Sequence, residues 1–251
     1  MSTPLIELKQ VTKRFRLPQG DVTVLENIGI SARAGEFIAI VGPSGSGKST
    51  LLRLMNGLLM PSEGQVLYRG DPFVGVNLNT AIVFQNFGLL PWLTVQQNVR
   101  LGLESRSRDE RMIRRKTALY IEKVGLKGYE EAYPRELSGG MKQRVGLARA
   151  LVIEPEVLLM DEPFSSVDIL TSINLRDELV DIWSDPEVQL NTLVLVTHQI
   201  EEAVELADRI LILSGKPGVI AGEIAVDLPR PREKRAKEFM DYVDKVFSLL
   251  A

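Results

Sequence analysis

Hydrophobic positions along the chain follow two patterns, and each pattern predicts a different kind of element. Short continuous or alternating apolar runs indicate strands, and apolar residues at helical spacing indicate helices. Strands are predicted at 5–11, 22–30, 36–41, 64–70, 80–84, 157–160, 193–197 and 209–213, with a hairpin around Gly222 within 218–227. Helices are predicted at 50–55, 95–104, 108–124, 139–153, 171–184, 199–207 and 236–250.

The order of these elements predicts an α/β fold with a mainly parallel sheet covered on both faces. The opening section is rich in strands, whereas 86–156 has almost no strand signal and is expected to be a helical insert. Residues 229–235 are basic and are expected to form a solvated linker. The last helix is expected to pack on the domain or on a partner through one apolar face, formed by Phe239, Val243, Val246, Phe247 and Leu250.

Composition restricts the possible classes of protein. With 251 residues and 45% hydrophobic composition, the chain can bury a core of one or two domains. A net charge of −3 provides no basic field for nucleic acid, and the lack of cysteine excludes disulfides and thiolate metal sites. We expect a cytosolic protein, because no apolar stretch reaches about 18 residues and the N-terminus lacks a signal-peptide layout.

Residues 42–50, GPSGSGKST, have the spacing of a phosphate-binding loop, with fixed positions at Gly42, Gly47, Lys48 and Ser49. The glycines allow backbone N–H groups to point at a polyphosphate, and the lysine adds charge for the β- and γ-phosphates. The serine hydroxyl can bind Mg²⁺. An accidental glycine-rich turn is the alternative, but the loop lies between the apolar strand 36–41 and a helix start, where anions are favoured.

Two further segments carry candidate chemistry. The strand 157–160 ends in Asp161 and Glu162. In a phosphate-loop fold the first can hold Mg²⁺ through water and the second can polarise the attacking water, whereas alone the pair could be a solvated turn. Residues 138–140, Ser-Gly-Gly, open a helix and form a second anion-binding end, unless they are only a helix cap. One nucleotide does not need two such ends in one subunit, so this end is expected to bind the ATP of another copy.

Over residues 5–228 the chain resembles the ATPase subunits of ATP-binding cassette (ABC) transporters. The motifs in family order are the phosphate loop 42–50, Gln85, Leu-Ser-Gly-Gly-Met at 137–141, Val-Leu-Leu-Met-Asp-Glu at 157–162, Ser165 to Asp168, and His198. The resemblance implies a phosphate-loop (RecA-like) α/β fold with an N-terminal antiparallel β section. It also implies one ATPase domain at 1–228, with an α/β core at 1–85 and 157–228, a helical subdomain at 86–156, and a linker and helix at 229–251.

The resemblance further implies ATP and Mg²⁺ as cofactors. The residues that it places in catalysis are Lys48, Gln85, Glu162 as general base, and His198 as the γ-phosphate switch. Those that would contact ATP within the subunit are Phe15 (which stacks on adenine, unless it is a core aromatic), Gly42, Pro43, Ser44, Gly45, Ser46, Gly47, Lys48, Ser49 and Thr50. Those that would act across a dimer are Ser138, Gly139, Gly140, Met141 and Asp168. Those that would bind Mg²⁺ are Ser49, Gln85 and Asp161.

Three positions depart from the family pattern without removing a group that hydrolysis requires, namely Met141, Val167 and Gln199. His198 is the only histidine. A single histidine is more often a packed or surface residue, but its position after the strand 193–197 favours the switch role.

The segment 86–95 is unusually apolar for a loop and is expected to contact a transmembrane permease subunit, although burial in the helical insert would account for part of it. With 213–220 and 227–232, it resembles the subgroup that serves nitrate, sulfonate, taurine and bicarbonate importers. The resemblance implies a head-to-tail nucleotide-sandwich dimer, as a homodimer or with a related ATPase subunit. It places this dimer at the cytoplasmic face of the inner membrane, with indirect action on a solute-binding protein.

Three alternatives remain open. One is an ATPase of another importer class, for amino acids or metals, which the segment 86–95 would distinguish. Another is a soluble ABC ATPase acting on DNA or ribosomes, but this chain has one cassette, no sustained heptads and no basic field. The third is a module that senses ATP without turnover, against which the intact set Lys48, Asp161, Glu162 and His198 argues.

Overall fold

The structure is a computed structural model that describes residues 3–250, and it contains two compact units. The first unit comprises the described residues up to Leu78 and from Asn191 onward, and the second comprises Asn79–Leu190. The strands are β1 (Ile6–Leu17), β2 (Gly20–Ala32), β3 (Phe37–Val41), β4 (Glu63–Tyr68), β5 (Asp71–Pro72), β6 (Thr80–Val83), β7 (Val157–Asp161), β8 (Thr192–Thr197), β9 (Arg209–Ser214) and β10 (Val219–Ala225). The helices are α1 (Lys48–Asn56), α2 (Val95–Glu104), α3 (Glu110–Lys123), a 3₁₀ turn (Pro134–Glu136), α4 (Gly139–Leu151), α5 (Ile169–Ser184), α6 (Ile200–Leu206) and α7 (Lys237–Leu250).

An antiparallel sheet forms the N-terminal part of the first unit, with strand order β2-β1-β4-β5. The strand β1 runs to Leu17, well beyond the predicted end at residue 11. Phe15 therefore lies on β1, opposite Val22 of β2, and not between two strands as the sequence suggested. The outer half of β1 is largely exposed and charged, so its strand conformation comes from pairing with β2 and has no apolar alternation to reveal it.

A second sheet of the first unit has the order β10-β9-β3-β8, in which β3 pairs in parallel with both β8 and β9. Every residue of β3 and β8 is buried, as continuous apolar runs predict. The expected hairpin around Gly222 is wrong, because β10 is one strand, antiparallel to β9. The glycine marks a register shift within this strand, where a Cβ would lie 3.0 Å from a methyl carbon of Leu249 on α7.

The second unit pairs β6 with β7 in parallel and contains α2, α3, α4 and α5. The start of α2 agrees with the prediction because Thr94 forms a reciprocal capping box with Gln97. The predicted α/β fold, with parallel strands and an antiparallel N-terminal section, is confirmed.

The basic segment 229–235 is not the solvated charge run that the sequence suggested. The Arg232 side chain is only 1% exposed and donates to the carbonyl oxygens of Val204 and Ala207, both at 2.6 Å, and of Leu228 at 3.0 Å. Arg230 forms an ion pair of 2.7 Å with Asp208. The carbonyls of Val204 and Ala207 lie at the C-terminal end of α6, where unpaired carbonyls and the helix dipole favour a cation.

Helix α7 packs on the first unit through fewer apolar residues than predicted. Phe239 and Val246 are buried, whereas Phe247 is 64% exposed and does not belong to the buried face. At 100° per residue, position 247 lies at the edge of the stripe, and packing on one side leaves that edge in solvent. Within residues 3–250, no helix is long and apolar enough to cross a membrane.

Candidate functional site

The phosphate loop follows β3 and runs directly into α1. Gly45 and Gly47 have φ of +81° and +100°, a backbone conformation that glycine adopts without a steric cost. The ammonium group of Lys48 donates to the carbonyl oxygens of Gly42 at 2.9 Å and Pro43 at 3.0 Å. Because the first N–H groups of a helix have no carbonyl partner within it, this end of α1 can bind an anion.

The loop 213–218 packs tightly against the phosphate loop. A Cβ on Gly42 would lie 2.2 Å from the carbonyl oxygen of Leu213, and a Cβ on Gly218 would lie 2.1 Å from that of Ser46. Gly218 also exchanges two backbone hydrogen bonds with β2, of 2.9 and 3.0 Å. The phosphate loop is thus held in shape by backbone contacts that any side chain at these glycines would break.

Phe15 and His198 are both accessible in the first unit. The Phe15 ring is half-buried on β1, with the Lys13 ammonium 5.1 Å from its centroid. His198 is exposed directly after β8. Its turn is braced by Thr197, whose hydroxyl donates to the Glu202 carboxylate at 2.7 Å and accepts from the Gln199 N–H at 3.0 Å.

In the second unit, Gln85 and Glu162 are brought together. The Gln85 amide donates to the Glu162 carboxylate at 3.3 Å and to the Ser165 hydroxyl at 3.5 Å. Asp161 is buried at the end of β7. The next residue, Glu162, has φ of +47°, which is costly for a residue with a side chain and is typically found where a site requires it.

The predicted second anion-binding end lies at the start of α4. Ser138 and Gly139 are exposed, and the Ser138 hydroxyl accepts from the Met141 N–H at 3.2 Å, which leaves its own proton free to donate. Gly140 has no room for a side chain, since a Cβ would lie 2.3 Å from Cγ2 of Thr171.

Asp168 is exposed and caps α5. Its carboxylate accepts from the Thr171 hydroxyl at 2.6 Å and from the Thr171 N–H at 3.0 Å. These hydrogen bonds, the hydroxyl first, hold the pKa of Asp168 below its ordinary value. The same threonine thus contacts the cap of α5 and closes over Gly140 at the start of α4.

Two residues outside the segment 86–95, Arg149 and Asn98, hold its backbone in place, and neither was predicted from the sequence. Arg149 donates to the carbonyl oxygens of Phe87 and Gly88, both at 2.7 Å, and burial lowers its pKa. The fully buried Asn98 donates to the carbonyls of Leu90, Leu93 and Thr94 at 3.0–3.1 Å, and accepts from the Leu90 N–H at 2.9 Å.

These anchors fix the backbone of the segment and leave the Trp92 side chain 68% exposed. Asn98 could have been found as a polar residue on the apolar face of α2, between Val95 and Val99. Arg149 has no such signal, because its partners lie 61 and 62 residues away.

Comparison with known proteins agrees with this set of motifs. A sequence model of the ABC transporter family matches residues 25–165. The nitrate import ATP-binding protein NrtD of Synechocystis is 42% identical over 98% of this chain and 94% of its own length. The aliphatic sulfonates import ATP-binding protein SsuB of Bacillus licheniformis is 46% identical over 93% of this chain and 89% of its own length.

Solved structures extend the agreement to the backbone. A dimeric structure of the ATP-binding cassette MJ0796, in a post-hydrolysis state bound to ADP and Pi, superposes with a TM-score of 0.78 at 31% identity, covering 89% of this chain and all of that one. CbiO1 of Clostridium perfringens, part of the transporter complex cbiONQ, gives a TM-score of 0.79 at 25% identity, covering 98% and 93% of the two chains. The chain belongs to the ABC transporter family, as an ATP-binding cassette protein.

Proposed function

We propose that this protein hydrolyses ATP to ADP and phosphate and thereby drives import of a small anion through separate membrane subunits. The observation that carries the catalytic part is the contact of Gln85 with Glu162, directly after the buried Asp161. The names of the relatives from Synechocystis and Bacillus licheniformis favour nitrate or an organic sulfonate as the solute.

In the proposed reaction the phosphate loop binds ATP through its N–H groups and Lys48. Glu162 accepts a proton from the attacking water, and the amide of Gln85 holds that carboxylate and orients the water. His198 donates a hydrogen bond to the γ-phosphate from the turn that Thr197 and Glu202 brace. The strained backbone at Glu162 is consistent with a carboxylate whose direction matters.

Mg²⁺ fits the donor types that this chain offers, since the ion prefers oxygen ligands. The Ser49 hydroxyl, the Gln85 amide oxygen and the Asp161 carboxylate would hold it, in part through water. When bound, the ion neutralises charge on the phosphate oxygens.

The assembly we propose is a head-to-tail dimer, either of two copies or with a related ATPase subunit. The exposed start of α4 at Ser138 and Gly139 would bind the γ-phosphate of the ATP held by the other subunit, and Asp168 would link the two sites. The dimeric MJ0796 cassette supports this arrangement. The segment 86–95 would receive a permease helix on Trp92, placing the protein at the cytoplasmic face of the membrane.

The first test is Glu162→Gln, which keeps the shape of the side chain and removes the base. We expect ATP hydrolysis to fall by about 100-fold or more, and light scattering after size exclusion to show an ATP-dependent dimer. Glu26→Gln, at an exposed position on β2, is the matched control and should hydrolyse ATP like wild type. Unchanged hydrolysis in Glu162→Gln would show that this residue is not the base.

The solute is tested in cells that lack this chain. They should lose uptake of labelled nitrate or of an alkanesulfonate, and the wild-type chain should restore it whereas Glu162→Gln should not. Normal uptake of both anions in these cells would contradict the assignment of the solute.

A further inference from the structure

A lysine lies against the phosphate loop from outside the motif. The loop 213–218 places Lys216 so close to Gly45 that a Cβ on the glycine would lie 3.6 Å from the lysine Cε and 3.7 Å from its Nζ. The end of the lysine side chain therefore lies beside Gly45, next to the space into which a side chain at this position would point. Lys48 contacts the loop elsewhere, at the carbonyls of Gly42 and Pro43.

The position of Lys216 is set by its backbone. Leu213 precedes it against Gly42, and Gly218 follows it against Ser46, with no space for a Cβ at either glycine. Since only a few residues lie between these two contacts, the backbone at Lys216 is held beside the phosphate loop. Its long side chain can therefore reach an anion bound by the loop without a change in the fold.

Lys216 is exposed, and among residues 3–250 no carboxylate forms an ion pair with its ammonium group. Its surroundings are already positive, because Lys48 and the N-terminal end of α1 are part of the same loop. An unpaired cation in such a place is repelled when the loop is empty and attracted when a polyanion fills it. This arrangement favours the nucleotide-bound state.

We propose that Lys216 is a second phosphate-contacting cation of this nucleotide site, acting together with Lys48 on the triphosphate. The proposal rests on the function proposed above and names a residue that the phosphate-loop motif does not contain. Lys216 acts on binding, since it adds charge at the loop and has no part in moving a proton.

The test uses the full chain and compares Lys216→Met, which keeps most of the aliphatic stem without the charge, with Lys216→Arg. Lys237→Met is the matched control, because Lys237 is an exposed lysine of the same unit at the start of α7. We expect Lys216→Met to raise the Kd for ATP by about threefold to tenfold in calorimetric titration at low salt. Lys216→Arg should stay within about twofold of wild type, and Lys237→Met should match wild type.

Salt separates a charge contact from steric support of the loop. The increase in the Kd for ATP caused by Lys216→Met should shrink towards twofold or less at about 0.5 M NaCl, because salt screens an exposed charge. Equal losses at low and high salt would overturn the proposal, as would a Kd for Lys216→Met equal to that of Lys237→Met. Should Lys216→Met melt at a lower temperature than wild type, Lys216→Gln takes its place with the same expected loss.

The outcome for wild type distinguishes the two proposals. If wild type binds and hydrolyses ATP while the Lys216 variants bind it unchanged, only the role of Lys216 fails. If wild type binds no ATP, the proposed function fails and the role of Lys216 fails with it.

Discussion

Arg232 anchors the segment before α7 to the end of α6, and replacing it with methionine tests how much that contact contributes to stability. The guanidinium donates to the carbonyl oxygens of Val204, Ala207 and Leu228 within 3.0 Å. Methionine retains an apolar side chain of similar reach and removes these three hydrogen bonds, together with a longer one of 3.4 Å to the Val226 carbonyl. The buried carbonyls at the end of α6 would then lack their charged partner.

The magnitude follows from two opposing effects. The three shorter hydrogen bonds, which come from a charged donor, contribute about 5–9 kcal/mol in total. Burial, and then repulsion from Arg230, lowers the pKa of Arg232 to about 10, which corresponds to about 3 kcal/mol against the charged form. Asp208, 4.0 Å away, offsets a little of that cost. We therefore expect Arg232→Met to lower the free energy of unfolding by about 3 kcal/mol or somewhat more.

For a chain of this size, a loss of about 3 kcal/mol corresponds to a fall in Tm of about 6–12 °C. The assay is thermal unfolding followed by circular dichroism at neutral pH, together with urea unfolding of the same samples. Arg235→Met, three residues away at an exposed position, is the control and should change Tm by less than about 2 °C. Equal Tm values for the two variants would refute the anchoring role of Arg232.

Three further predictions concern the second unit. Asn98→Leu removes four hydrogen bonds from the segment 90–94 and should cost about 3 kcal/mol in urea unfolding; an unchanged midpoint would contradict this. Gly140→Ala should lower the free energy of unfolding because its Cβ meets Thr171. In a double-mutant cycle, adding Thr171→Ser should recover much of that free energy, and simple additivity of the two effects would contradict this. Because folding lowers the pKa of Asp168, its ionised carboxylate stabilises the folded protein above the ordinary pKa of 3.8. This stabilisation is lost as the pH falls through the lower pKa of the folded state. The Tm difference between wild type and Asp168→Ala should therefore narrow in acid, and a constant difference from pH 7 to pH 2 would argue against this cause.

Much of the fold could be predicted from local pattern. The buried strands β3, β7 and β8 read as continuous apolar runs because both of their faces are covered. The start of α2 could be placed correctly because a capping box acts within a few residues. In the phosphate loop, backbone shape and spacing are properties of neighbouring residues, so the motif could be recognised from the order of residues alone.

The predictions that failed depended on partners far away in the chain. The outer half of β1 is a strand because β2 pairs with it, and Gly222 lies at a register shift within one strand where the sequence suggested a turn. The run 229–235 has the composition of a solvated linker, yet Arg232 is buried among carbonyls 25 and 28 residues away. Composition describes the average solvation of a residue type, whereas burial is decided by what the folded chain places beside it.

The sequence by itself determined most of the order of strands and helices, the phosphate loop and the acidic pair at the end of β7, because spacing within a short segment specifies backbone shape and chemistry. Only the tertiary structure decided that Gln85 meets Glu162, that Arg149 holds the backbone at Phe87 and Gly88, and that Lys216 lies against the phosphate loop. These contacts join residues that are distant in sequence, and their energies exist only after chain entropy has been lost in bringing them together.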